Sequence, residues 1–196
     1  MPVALRHLVT LAVVCFGLYG APAWTNDLSA IPAQTDRLQA DLLGPHSATE
    51  VLTQWCGDLG LATPPVVKAL VVHGADKKPG PDVRALLQAD GGAPVRYRRV
   101  QLICGGHVLS EADNWYRPDR LTAAMNRELD TTDTSFGTVV RPLNFRRKTL
   151  AIGPMDQAQA VLQVRALLLT GAGAPFSLVV ERYRRELVTA ALPQRH

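Results

Sequence analysis

The sequence predicts an α+β fold, antiparallel strands with helices packed against the sheet, within one domain. Three observations predict it. Ser47 followed by Glu50, then Val51, Leu52 and Trp55 on one helical face, is a helix start with the spacing of a capping box. Val95–Cys104 and His107–Tyr116 flank Gly105-Gly106 and read as a hairpin. Asn144–Ile152, Ala160–Thr170 and Phe176–Leu187 read as three further strands, the last reached through "GAGAP". A chain of 196 residues, 47% of them hydrophobic and 19% charged, suits one core of this kind.

Taken from the N-terminus, the chain opens unlike the rest. Arg6 and His7 precede the apolar run Leu8–Tyr19, and Ala21-Pro22-Ala23 supplies a small-x-small cleavage site, so residues 1–23 read as a secretory signal peptide and 24–196 as the single mature domain. The run falls short of the roughly 20 apolar residues of a bilayer span, so cleavage is expected rather than an anchor, with no stable membrane insertion afterwards. Cys15 lies in mid-run, outside a lipidation context. The expected location is outside the cytoplasm, in the periplasm. An oxidising compartment allows Cys56 and Cys104 to form a disulfide; two buried free thiols are the alternative.

The remaining elements follow in order. Leu28–Leu43 carries Leu28, Ile31, Leu38, Leu42 and Leu43 on a helical period that Pro32 interrupts. Pro64–Gly74 is rich in β-branched residues and reads as a strand, "DKKPGP" as a turn, and Asp82–Ala89 as a short helix. From Pro118 the spacing of Leu121, Ala124, Met125 and Leu129 is helical until "DTTDTSFGTVVRP" breaks it.

Composition and motifs exclude several functions. The net charge of +4 loses Arg6 with the signal peptide and falls to +3, and without a basic helix or zinc-finger spacing no nucleic-acid partner is expected. No G-x-S-x-G, H-E-x-x-H, P-loop or dinucleotide fingerprint occurs, and the five histidines lack ligand spacing, so neither a metal nor a cofactor is expected.

What stands out is charge on apolar strands. In "RRVQLIC", Arg99 shares a face with Gln101 and Ile103; in "LVVERY", Glu181 shares one with Val179 and Tyr183. Burying either ion is costly unless a ligand or partner meets it. A structural ion pair or a solvated sheet face is the alternative, and because Arg96 and Arg98 flank the position, a register shift of one residue would exchange the inward arginine. The segment "SEADNWYRPDRL" (Ser110–Leu121) crowds acids, an amide, two aromatics and arginines together, as the rim of a binding site would. Asn114 and Trp115 are its candidate ligand contacts, with core packing the alternative for Trp115.

The order of "LLGPHSAT", "RRVQLIC" turning into "GHVLSEADNWYRP", "TSFG", "FRRKTLAIG" and "LVVERY" resembles the chorismate lyase family and its wider superfamily, which includes the UTRA-like ligand-sensing domains of some transcription regulators. The resemblance runs from about Leu42 to about Leu187. It implies a sheet of about six antiparallel strands whose flanking helices enclose a pocket for 4-hydroxybenzoate. It also implies that Arg99 pairs with the ligand carboxylate, that backbone N–H groups of Ala48 and Phe136 hold the same carboxylate, and that Glu181 reaches the far end of the ring. Arg99 and Glu181 would then be the catalytic pair of a carbon–oxygen lyase that removes pyruvate from chorismate and aromatises the ring, without metal or cofactor.

Two features depart from the family. Asn114 stands where the cytoplasmic lyases usually carry an arginine, which leaves the second carboxylate of chorismate without a cation unless Arg146 or Arg147 supplies one. Export separates the protein from cytoplasmic chorismate. The alternative function is therefore a non-catalytic periplasmic module, monomeric, that binds a small aromatic or cyclic carboxylate. A pocket without a remaining role is a third reading. With no helix-turn-helix ahead of the domain, the regulator version is not expected.

Overall fold

The computed structural model describes residues 30–157 and 159–189; the signal peptide read over residues 1–23 lies outside them. Helix α1 (Ile31–Leu43) starts with Pro32 in its first turn, where a missing N–H costs nothing, so this proline begins the helix instead of interrupting it. Helix α2 (Ala48–Asp58) has the full capping box: the Glu50 N–H donates to Ser47 Oγ at 3.2 Å and the Ser47 N–H to the Glu50 carboxylate at 2.8 Å. Its buried face carries Val51, Leu52, Trp55 and Cys56. Burying a side chain of that size contributes about 1.5–3 kcal/mol each.

Strand β1 (Lys68–Val71) is shorter than its β-branched run, and helix α3 (Pro81–Leu86) has proline at its start. The predicted hairpin is β2 (Arg96–Cys104) and β3 (His107–Tyr116). Gly105 and Gly106 turn it at φ of +57° and +86°, and a Cβ on Gly105 would fall 2.1 Å from the Leu61 carbonyl oxygen, so this turn requires glycine. Helix α4 (Ala123–Thr131) is capped by Thr122, whose hydroxyl accepts the Met125 N–H, and the short α5 (Phe136–Val139) follows. Strands β4 (Arg146–Gln157), β5 (Ala160–Leu169) and β6 (Pro175–Arg184) lead to the short α6 (Glu186–Thr189).

The six strands form one antiparallel sheet in the order β1-β2-β3-β6-β5-β4. The fold class is thus α+β, a six-stranded antiparallel sheet with flanking helices, as expected. On the inner face, α1, α2 and α6 pack over Val100, Leu102, Ala112, Val164 and Tyr183. Beside them, Met125 and Leu129 of α4 and Val139 of α5 join Tyr116, Leu168 and Phe176. On the outer face, Val83 and Leu87 cover Trp115, Leu167 and Leu178. Cys56 is disulfide-bonded to Cys104, which ties the last turns of α2 to the end of β2 across 48 residues of chain.

Candidate functional site

The pleat decides which side chains meet. In β2, Arg98, Val100, Leu102 and Cys104 point inward, and Tyr97, Arg99, Gln101 and Ile103 outward. Register then carries the inner row across the sheet. Arg98 lies opposite Asn114 and Asn114 opposite Val179; Val100 lies opposite Ala112 and Ala112 opposite Glu181. Arg98 and Glu181 therefore project from strands two spacings apart, about 10 Å. Between this face and the first turns of α2 and α5 lies a cavity of about 60 Å³, against about 10–15 Å³ for one water. Its mouth continues past Phe145 and Arg147 into an outer recess of about 200 Å³.

Arg98 is 6% exposed, and its one hydrogen bond among the described residues runs from Nη2 to the Thr132 carbonyl oxygen at 3.4 Å. Among the described residues its Nε and Nη1 are buried without a partner, and no carboxylate lies within ion-pairing distance. Burial pulls its pKa below the ordinary value; the charges of Tyr116, Asp130 and Asp133 oppose this without reversing it. A guanidinium remains ionised at neutral pH regardless. This is a buried cation with unused donors, in a side chain that lines the cavity.

The second arginine of the cavity behaves otherwise. Arg147 reaches from β4 across β5 and donates from Nη2 to Glu181 Oε2 at 2.5 Å, while the Tyr183 hydroxyl donates to the same oxygen at 2.9 Å. Burial alone would lower the Arg147 pKa, but the carboxylate of Glu181 overrides it and raises the pKa above the ordinary value. Burial, and then the Glu181 charge, push the Tyr183 phenol well up. The charges of this triad compensate each other, although Arg147 Nε is buried without a hydrogen-bond partner among the described residues.

Neutral donors and aromatic rings complete the site. Ala48 and Thr49 open α2, where the first N–H groups have no intrahelical acceptor, and Ser47 takes only that of Glu50. Thr49 Oγ1 donates to Ser135 Oγ at 3.2 Å, joining the start of α2 to the cap of α5. Phe136 faces the cavity with its ring 5.4 Å from that of Tyr116 and 6.3 Å from that of Phe176. Ser177, fully buried, donates to Asn114 Oδ1 at 2.6 Å, so the amide turns its NH₂ group elsewhere, and Asn114 lines the cavity.

The structure brings Ala48, Phe136, Asn114 and Glu181 together as expected positions, but two expected residues stand elsewhere. Arg99 is a correction: its side chain is 40% exposed on the outer face, bonded to Glu111 Oε2 at 3.2 Å and 3.9 Å from Asp113 Oδ1. The inward arginine is its neighbour Arg98, the one-residue register alternative. Trp115 is the other correction. It points outward, donates from Nε1 to the Lys77 carbonyl oxygen at 2.8 Å, and packs 5.4 Å from the Tyr97 ring. The first follows from the pleat of β2, and the second from "EADNWY" remaining in β3 to Tyr116 instead of leaving it as a rim: Ala112, Asn114 and Tyr116 face in, while Glu111, Asp113 and Trp115 face out. Sequence reasoning missed Ser177, Thr49 and Ser135, short polar side chains with no motif of their own. Arg147 stood only as one of two compensating cations.

Among the described residues no group of three or more His, Cys, Asp or Glu side chains could hold a metal ion, and no helix is long and apolar enough to cross a membrane. A partly enclosed hollow lined by one buried cation with no ion-paired acid among the described residues, by neutral donors and by aromatic walls can hold a small anion.

The architecture is the chorismate-lyase-like fold. Solved structures of PhnF from Mycobacterium smegmatis share it: its effector domain at a TM-score of 0.54 and 17% identity, over 72% of this chain and 90% of that one, and a second PhnF structure at 0.55 and 17%, over 78% and 70%. No family model matches the sequence. The chain is 40% identical to the uncharacterized protein y4mC of Sinorhizobium fredii (strain NBRC 101917 / NGR234), over 96% of this chain and 94% of that protein, and it belongs to the family of that protein.

Proposed function

We propose that this protein is an exported binding module that encloses a small aromatic or cyclic carboxylate. One observation carries the reading: Arg98, which lines the cavity, is a buried guanidinium with two nitrogens that have no hydrogen-bond partner among the described residues. Leaving such a charge unpaired costs several kcal/mol, and a carboxylate offers the planar pair of acceptors that a guanidinium matches. The first N–H groups of α2, an eleven-residue helix, add a positive dipole end beside it. Phe136 and Phe145 supply faces for a ring. That one of the PhnF structures sharing this fold is described as an effector domain agrees with a binding role. Export rests on the signal peptide read over residues 1–23, and the Cys56–Cys104 disulfide supports it, because such bonds persist in oxidising compartments.

The test is titration calorimetry of the mature domain with 4-hydroxybenzoate and with its neutral isostere 4-hydroxybenzamide. Saturable binding of the acid alone is expected; equal binding of the amide, or no binding of the acid, would remove the reading. Export is checked by the mass of the secreted chain, expected to begin after Ala23.

One observation favours a second reading, a lyase acting on chorismate or a similar enol ether: Glu181, 5% exposed, faces the same cavity as Arg98. In it Arg98 takes the carboxylate role that the resemblance gives to Arg99. The Arg147 ion pair already occupies Glu181, which is why binding is placed first. Pyruvate and 4-hydroxybenzoate released from chorismate by wild-type protein, followed by chromatography, would reverse that order.

A further inference from the structure

We infer that the cavity selects ligands with a single negative charge and rejects those that carry a second. This rests on the proposed binding function and narrows it to a ligand class. Of the residues lining the cavity, Arg98, Arg147 and Glu181 are the ionic ones, so one positive charge is in excess. That excess is located. Arg147 and Glu181 neutralise each other at 2.5 Å, and among the described residues Arg98 has no carboxylate within 4 Å. One bound carboxylate balances the ionic side chains that line the cavity; a second would be a largely buried charge without a partner.

The other polar groups add hydrogen bonds but no charge. Asn114 is cross-strand neighbour to Arg98, and Ser177 occupies its amide oxygen at 2.6 Å, so the group it can offer is a neutral donor. Thr49 and Ser135 are neutral also. Beyond Arg147, the outer recess is lined by Arg141, Glu50 and His46.

The test compares rings of one shape and two charges by calorimetry on the mature domain, with 4-hydroxybenzoate as reference. Nitro and carboxylate groups are isosteric, so 4-nitrobenzoate is set against terephthalate and 3-nitrobenzoate against isophthalate. The expected result is a preference for the nitro compound of at least about thirtyfold in whichever series binds. Equal binding within a series would overturn the inference. Failure of all four rings while 4-hydroxybenzoate binds would also overturn it, because size rather than charge would then set the limit. Failure of 4-hydroxybenzoate itself would strike the proposed function instead. A gain-of-charge variant adds an independent arm: Glu181→Gln leaves Arg147 uncompensated, and terephthalate should then gain at least about tenfold on 4-nitrobenzoate. An unchanged ratio in a folded Glu181→Gln protein would contradict the charge count.

Discussion

The two faces of the sheet carry nearly the same charged vocabulary to opposite ends. On the outer face Arg99, Arg182 and Lys77 surround Glu111 and the buried Asp113, which accepts from the Tyr97 hydroxyl at 2.7 Å. Every cation there has an acid beside it, and the cluster opens to solvent. On the inner face, one residue away along β2, Arg98 is almost fully buried and has no such acid among the described residues. Compensated charge holds a surface together, whereas an uncompensated buried charge is a stability cost that makes sense where a ligand completes it.

The comparison can be broken most severely at its two glutamates. Glu181→Ala strands Arg147 in the interior and should lower unfolding free energy by about 3–5 kcal/mol. Glu111→Ala, on the solvated face, should cost under about 1 kcal/mol. Similar losses in denaturant titrations of the two variants would erase the distinction between the faces.

Arg98→Met sharpens it from the other side. Replacing an unpaired buried cation with an apolar chain of similar length should raise stability by about 1 kcal/mol while abolishing carboxylate binding. A destabilised Arg98→Met protein would mean that the guanidinium is structurally satisfied.

The smallest expected effect concerns Tyr97, whose phenol burial and then the Asp113 hydrogen bond push up to about 12 from an ordinary 10.0. A raised folded pKa contributes stability that is complete below pH 10 and is lost as pH rises toward about 12. Tyr97→Phe should therefore flatten the alkaline decline of melting temperature in that window. The wild-type slope persisting in the variant would assign the decline to other groups.

Most of the architecture was legible because each element carried its own signal: the Ser47–Glu50 box, the paired glycines of the hairpin and the apolar runs of β5 and β6. The face of β2 was also written there. Val100, Leu102 and Cys104 are uniformly apolar, and Arg98 is the residue in phase with them, whereas Arg99 is in phase with Gln101 and Tyr97. Reading Arg99 as the ligand arginine set the resemblance above that alternation. Trp115 went astray for a related reason, since a tryptophan in a charged segment suggested a rim while its partners lay on the outer face, in Tyr97 and the chain at Lys77. The Arg147–Glu181 pair was not legible, because 34 residues and the strand order β6-β5-β4 separate its members. Asn114 could be placed, but its orientation depends on Ser177, 63 residues away.

The most direct measurement is a calorimetric titration of 4-hydroxybenzoate into wild-type, Arg98→Ala and Arg99→Ala proteins. Two charge-assisted hydrogen bonds at about 1.5 kcal/mol each predict a loss of about a hundredfold in Arg98→Ala and a change within about twofold in Arg99→Ala. Retained affinity in Arg98→Ala, or a comparable loss in Arg99→Ala, would contradict the assignment of the inner arginine as the anion anchor.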